Sequence, residues 1–210
     1  FSFDYAKTIT TGEGGMIVFK KKKDYLRAKA WHDHGHQNNP KVPRWEDTRE
    51  SSGFNFRMTE LQGAVGKAQI KKLNRIVSNQ IYNKEKIWSS IKNIKGVQER
   101  EKPHGSVDSC DALVFLVPSK FKAKRCREEL LKIGLSTKIL PEATKWHFAL
   151  KWTHISELFD KKANNLIHDL KGSEKLLNRA VSIPISAVKG NFLVRLDKFN
   201  SAIKKALNEK

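Results

Sequence analysis

The first fifteen residues place a hydroxyl and an amine five positions apart, just before a glycine-rich turn. Ser2 and Lys7 lead through a threonine-rich stretch into the Gly-Glu-Gly-Gly sequence of residues 12–15. A lysine amine becomes a nucleophile, and then a proton carrier, when burial beside other cations lowers its pKa from the usual value of about 10.4. A serine hydroxyl donates a hydrogen bond, and glycines let the backbone approach a neighbour closely. The pattern therefore indicates either a nucleophilic lysine or a surface lysine beside a hairpin turn.

A second group of polar residues precedes a strong helix start. The sequence Gly-Phe-Asn-Phe-Arg-Met occupies residues 53–58 and is followed by Thr59. Thr59 with Gln62 three positions later is the pattern of a capping box, which satisfies the first backbone N–H groups of a helix. Asn55 and Arg57 are then candidates either for further helix-start contacts or for a binding role.

Taken in this order, the two blocks resemble the DegT/DnrJ-type sugar aminotransferases, which use pyridoxal phosphate (PLP) on a fold-type-I scaffold. The resemblance implies that Lys7 holds PLP as a Schiff base and that Ser2 contacts its phosphate. It also implies that Asn55 reaches from one subunit to the PLP phosphate held by the other, so the enzyme would be a homodimer with a shared active site. Sugar dehydratases on the same scaffold have histidine in place of the lysine, and Lys7 therefore favours an aminotransferase.

The resemblance covers nearly all of this chain but only the second half of such an enzyme. It implies an α/β fold, the C-terminal part of a fold-type-I PLP-dependent transferase. The end of the large PLP-binding domain would occupy residues 1–73, and a small C-terminal α/β domain would occupy residues 74–210. Because the chain opens with Phe1 rather than Met, we expect it to be a fragment. The preceding part would carry a glycine-containing phosphate loop, the aromatic residue that stacks on the ring and the carboxylate that pairs with the pyridine nitrogen.

Two histidine-containing segments are candidates for substrate contacts. His34 and His36 lie where the family has a His-Gly sequence, and Trp146 and His147 lie in an aromatic-rich stretch. Aromatic faces and imidazoles suit a sugar, which offers C–H surfaces and hydroxyls. An exposed helix end and a small core beneath a loop are the respective alternatives. Alternating histidines can also bind a metal, but Gly35 disfavours the regular strand that this requires, and no metal site is predicted.

These segments resemble the subgroup that makes 8-amino-3,8-dideoxy-octulosonate. The function implied is transfer of an amino group, from glutamate, to a keto or aldehyde sugar in the synthesis of surface polysaccharide of the lipopolysaccharide type. Two other functions stay open. The chain could be a non-catalytic half that only dimerises or binds a partner, or a basic module that binds nucleic acid.

Composition separates these classes only in part. The chain has 210 residues, with 41 Lys+Arg against 22 Asp+Glu, a formal net charge of +19. A basic excess can indicate nucleic acid, but the lysines are spread along the chain and no nucleic-acid motif accompanies them. Apolar runs are too short to span a membrane. Two cysteines give no disulfide or metal spacing, which is typical of a cytoplasmic protein.

Hydrophobic periodicity predicts the elements that would position these residues. The stripe that begins at Leu61 predicts an amphipathic helix after Thr59, and Gly63 and Gly66 on it predict a closely packed second helix. Residues 37–52 are rich in proline and asparagine, which predicts an irregular loop. Strands are predicted at 16–19, 112–117, 136–140 and 180–185. Further helices are predicted at 25–32, with Asp24 as its N-cap, and at 75–91, 120–133, 166–178 and 192–207.

Overall fold

The computed structural model describes residues 1–137, 144, 148–152, 154 and 163–208. They belong to two compact units, residues 1–74 and 75–210. In the described part of the chain, no helix is both long and apolar enough to cross a membrane.

The first unit is built from short helices and paired backbone segments. Isolated antiparallel bridges join Ser2 to Gly15, Asp33 to Asn55 and His36 to Arg49. Its helices are α1 (Lys22–Trp31), a 3₁₀ turn (Arg44–Glu46) and α2 (Glu60–Ile70).

The second unit contains an antiparallel sheet with helices around it. Helix α3 (Leu73–Ile91) leads into it. The sheet has the order β1-β2-β3, and Leu113 lies opposite Ile183 in its central register. The elements that follow α3 are β1 (Gln98–Glu99), β2 (Ala112–Leu116), α4 (Lys120–Lys132), a 3₁₀ turn (Ala149–Lys151), α5 (Ala163–Leu177), β3 (Ala180–Pro184) and α6 (Leu196–Asn208).

Alternating residues of the central strands supply the core of the second unit. Leu113 and Phe115 of β2 are fully buried, as the two-residue period of a strand requires. Helices α4 and α6 pack against each other, and Phe199 and Ile203 of α6 enter the same core. The predicted apolar face of the last helix is confirmed, although the helix begins at Leu196 rather than at residue 192.

The other predicted elements of the second unit have mixed outcomes. The helices predicted at 75–91, 120–133 and 166–178 and the strands at 112–117 and 180–185 are confirmed within three residues at each end. The short strand β1 was not predicted. Ser136 and Thr137 are not in a strand, and the rest of the strand predicted at 136–140 lies outside the described residues.

Three predictions for the first unit are wrong. Residues 16–19 form no strand, and Ile17 is 72% exposed, because the described backbone pairing ends at Met16, which bonds to Phe1. Helix α1 begins at Lys22 after Lys21, so Asp24 lies in its first turn and is not its N-cap. An added Cβ at Gly63 would meet nothing within 4 Å, one at Gly66 would lie 3.2 Å from Thr11 Cγ2, and α2 has no buried residue. Within the described residues, no second helix therefore packs on either glycine, and Gly66 is approached by a loop side chain instead.

Candidate functional site

Backbone pairing closes the N-terminal segment into a loop. Phe1 and Met16 exchange two N–O hydrogen bonds of 2.6 and 2.9 Å, and Phe3 N donates to Gly14 O at 2.9 Å. Residues 4–13, called the lysine loop below, are held between these paired ends. The segment around the candidate lysine therefore has the geometry of a hairpin.

Asp4 shapes the turn that carries the lysine. Its Oδ1 accepts a hydrogen bond from Ala6 N at 2.6 Å, and its carbonyl accepts one from Lys7 N at 3.1 Å. An aspartate bonded to the N–H group two residues later forms an Asx turn. Sequence analysis missed this role, although Asp-x-x-Lys ahead of a glycine-rich stretch is a usable signal for it.

The reactive groups of Ser2 and of Lys7 in the lysine loop both remain available. Ser2 Oγ accepts from Asp4 N at 3.4 Å, which leaves its hydroxyl hydrogen free to donate. Ser2 and Lys7 are exposed, and no described residue forms a hydrogen bond or ion pair with the Lys7 amine. The burial that would activate this lysine is therefore not supplied by the described residues.

Helix α2 is tied to the lysine loop through its first turn. The predicted capping box is confirmed: Gln62 N donates to Thr59 Oγ1 at 3.3 Å, and Thr59 N donates to Gln62 Oε1 at 2.9 Å. Gln62 Nε2 also donates to the carbonyl of Glu13 at 2.9 Å. One side chain therefore connects the two blocks that were recognised in the sequence.

The segment that carries Asn55 is fixed against the end of α1. Phe54 N donates to Trp31 O at 2.9 Å, and His34 N donates to Phe54 O at 3.1 Å. Asp33 lies opposite Asn55 in this pairing. Asn55 is exposed, and the described residues place it in contact with neither Ser2 nor Lys7.

A buried carboxylate organises the side chains of this segment. Asp33 is 3% exposed and forms a two-pronged ion pair with Arg44, at 2.6 and 3.0 Å. Arg57 Nη1 donates to the same carboxylate at 3.1 Å. The hydrogen bond from Arg44 holds the pKa of Asp33 down at about 2, from the ordinary 3.8, although burial acts in the opposite direction. Sequence analysis missed Asp33 because its partners lie 11 and 24 residues away.

The two candidate histidines have different surroundings. His34 is exposed and has a positive φ of 57°. This exposure is compatible with both interpretations of the sequence, a substrate contact and an exposed helix end. His36 is buried, with Nε2 3.2 Å from Arg49 Nη2 and Nδ1 3.3 Å from Asp47 Oδ2. Arginine can only donate, so Nε2 accepts and the hydrogen of a neutral ring lies on Nδ1. The contact of Nδ1 with Asp47 lacks hydrogen-bond geometry.

An open cleft of about 1160 Å³ lies in the first unit. It is mainly apolar, and neither Ser2, Lys7 nor Asn55 lines it. Its apolar lining residues include Phe1, Met16, Ile17, Phe19, Trp31 and Phe56.

The remaining candidates can be placed only in part. Trp146 and His147 lie outside the described residues. Among the described His, Cys, Asp and Glu side chains, no group of three or more is arranged to hold a metal ion.

Comparison with known proteins identifies the family. Residues 1–189 match the DegT/DnrJ/EryC1/StrS aminotransferase family. The chain belongs to this family. Two curated relatives are the UDP-4-amino-4,6-dideoxy-N-acetyl-beta-L-altrosamine transaminase of Helicobacter pylori, 39% identical over 72 residues, and the GDP-perosamine synthase of Escherichia coli O157:H7, 38% identical over 78 residues. These matches cover 34% and 37% of this chain, and 18% and 20% of the relatives.

The comparison with solved structures confirms the predicted fold. The E. coli GDP-4-keto-6-deoxy-D-mannose-3-dehydratase with bound hydrated PLP superposes with a TM-score of 0.76 at 22% identity. The match covers 97% of this chain and 53% of that protein. The chain therefore has the α/β fold of the C-terminal part of a fold-type-I PLP-dependent transferase, and it spans about half the length of such a protein.

Proposed function

We propose that this chain is the C-terminal part of a PLP-dependent aminotransferase that moves an amino group, from glutamate, to a keto or aldehyde sugar. The observation that carries the proposal is the hairpin at the start of the family match, which presents Lys7 with its amine unpaired among the described residues. The family contains enzymes named for sugar amination. We propose that the enzyme acts in the cytoplasm, in the synthesis of surface polysaccharide.

The donor set fits a phosphorylated aldehyde. The Lys7 amine is a nucleophile for the aldehyde, and the Ser2 hydroxyl hydrogen is available for a phosphate oxygen. The amide hydrogens of Asn55 are available because Arg57 occupies only its oxygen. The chain therefore offers an amine for an aldehyde and two side-chain donors for phosphate oxygens.

The residues of this chain divide the work as follows. Lys7 Nζ would hold the cofactor by its aldehyde and would carry the proton at the reacting carbon atoms. Ser2 and the Asn55 of the partner copy would both hold the phosphate, so we propose a homodimer with a shared site. When bound, PLP supplies the electron sink for exchange of the amino group. We assign His34 to the sugar side because it is exposed, and His36 to support of its loop.

The first half of the reaction tests the proposal without knowledge of the sugar. The protein loaded with PLP is mixed with a panel of amino acids, and the oxo acid released is measured. We expect about one 2-oxoglutarate per subunit from glutamate, and amino transfer to a keto sugar nucleotide on its addition.

Two variants distinguish oxo acid released at the Lys7 site from oxo acid that has another source. Lys7→Arg keeps the charge but removes the nucleophile, so it should release no oxo acid. Lys20→Arg, a change at another exposed lysine, should leave the yield unchanged. Full release by Lys7→Arg would refute the proposal. A loaded parent protein that releases no oxo acid from any donor would favour a non-catalytic, partner-binding role.

A further inference from the structure

We propose that Asp33 is a positioning residue that acts through Arg57 to aim the side-chain amide of Asn55 at the cofactor phosphate. This inference rests on the proposed function, because it gives that phosphate contact its mechanical support. The three side chains form a continuous series of hydrogen bonds within the first unit.

The first step is the orientation of the Asn55 amide. Its Oδ1 accepts from Arg57 Nε at 3.1 Å and from Arg57 N at 3.3 Å. A guanidinium offers only donors, so the atom that faces it must be the amide oxygen. The amide group is planar, and its nitrogen therefore points away from Arg57. No described residue accepts a hydrogen bond from that nitrogen, which leaves two N–H groups for an anion.

The second step is the orientation of Arg57. Its Nη1 donates to Asp33 Oδ1 at 3.1 Å while its Nε donates to Asn55. The guanidinium is a rigid planar fork, so two anchored nitrogens fix its plane. The carboxylate that anchors it is itself fixed, because Asp33 is 3% exposed and is gripped by Arg44 through both oxygens.

The third step is the backbone around Asn55. Phe54 N donates to Trp31 O, and Phe56 N donates to His32 O, both at 2.9 Å. These two bonds flank Asn55 and hold its Cα opposite Asp33. With the backbone and the amide oxygen both held, the direction of the Asn55 nitrogen is set before any ligand binds. Preorganised donors of this kind gain affinity because less freedom is lost on binding.

A comparison of PLP with pyridoxal, which lacks the phosphate, tests the inference. The dissociation constant of each is measured by absorbance titration on the protein that contains this chain. We expect Asn55→Ala to weaken PLP about tenfold, the loss of a charge-assisted hydrogen bond. Asp33→Asn and Arg57→Lys should weaken PLP about three- to tenfold, and none of the three should change the affinity for pyridoxal.

Two controls separate positioning from simple stabilisation. Arg195→Lys breaks a two-pronged pair with Asp197 that takes no part in this series, so PLP affinity should change less than about twofold. In the Asn55→Ala background, Asp33→Asn should have no further effect on PLP affinity, because the positioned group is gone.

The outcomes distinguish this inference from the proposed function. Equal losses for PLP and pyridoxal in Asp33→Asn and Arg57→Lys would overturn positioning, as would unchanged PLP affinity, while the proposed function would stand. A parent protein that binds PLP no better than pyridoxal would overturn both. Additive effects of Asp33→Asn and Asn55→Ala on PLP affinity would also overturn the positioning role of Asp33, while the proposed function would stand.

Discussion

Gly35 is a residue at which backbone geometry constrains the segment that holds Asn55. It has φ of +83°, and a Cβ built on it would lie 1.8 Å from the carbonyl oxygen of Ser51. Gly12 has nearly the same φ, +81°, but an added Cβ there would meet nothing within 4 Å. Replacing each by alanine therefore separates the conformational cost from the steric cost.

The magnitudes follow from these two environments. A left-handed conformation costs an alanine about 1–2 kcal/mol, and Gly12→Ala should lose about this much of its free energy of unfolding. At Gly35 the obstacle is a backbone atom, which cannot rotate away, so the overlap adds about 1–3 kcal/mol. Gly35→Ala should therefore lose about 3 kcal/mol or more, a large part of the stability of a typical domain, about 5–15 kcal/mol.

Urea denaturation followed by tryptophan fluorescence measures the difference. Trp31 and Trp45 both lie in the first unit and report its unfolding. A difference of about 2 kcal/mol, with a urea dependence of about 2 kcal/mol per molar, separates the midpoints of the two variants by about 1 M. Equal midpoints for Gly35→Ala and Gly12→Ala would refute the steric argument.

Three further predictions concern the buried polar groups. Asn83 is fully buried, and it donates to the carbonyls of residues 186 and 188 and accepts from the N–H of residue 190, at 2.8–2.9 Å. Asn83→Ala should therefore lower the free energy of unfolding by about 3 kcal/mol in the same urea assay. Asn79→Ala, which loses one exposed hydrogen bond, should lower it by at most about 1 kcal/mol. Asp33 has a pKa of about 2 in the folded protein, below the ordinary 3.8. Its contribution to the stability of the folded protein is therefore present above about pH 3.8 and is lost as the pH falls through about 2. The free energies of unfolding of the parent and of Asp33→Asn should differ at pH 6 and converge near pH 2. Burial raises the pKa of the Cys126 thiol to about 12, so a thiol reagent at pH 8 should label it only after unfolding, and rapid labelling of the folded protein would contradict the described core.

Most of the secondary structure was predictable from local sequence patterns. The Thr59–Gln62 capping box spans three residues and was predictable, since both partners lie in one turn. The last helix was predictable from its apolar face, which Phe199 and Ile203 bury. These features depend on neighbours in the sequence, and the pattern contains that information.

Features that depend on distant partners were not predictable. Asp33 is polar in sequence and buried in the structure, because Arg44 and Arg57 close around it. Residues 16–19 are apolar but do not form a strand, since a strand exists only where another segment pairs with it. Sequence patterns state which residues prefer burial, not which partner will supply it.

The candidate site shows the same division. Ser2 and Lys7 were found from their spacing and from resemblance, and the structure places both in one hairpin. Asp4, which shapes that turn, and Gln62, which joins helix α2 to it at Glu13, emerged only from the structure. The role of each in binding stays a prediction.

The most direct test of the account is to identify which lysine PLP occupies. The protein is incubated with PLP, the C=N bond is reduced with borohydride, and the modified peptides are identified by mass spectrometry. The account predicts stoichiometric modification of Lys7 and only trace modification of other lysines, including Lys20 to Lys23. Modification spread over surface lysines, with Lys7 no more labelled than they are, would contradict it.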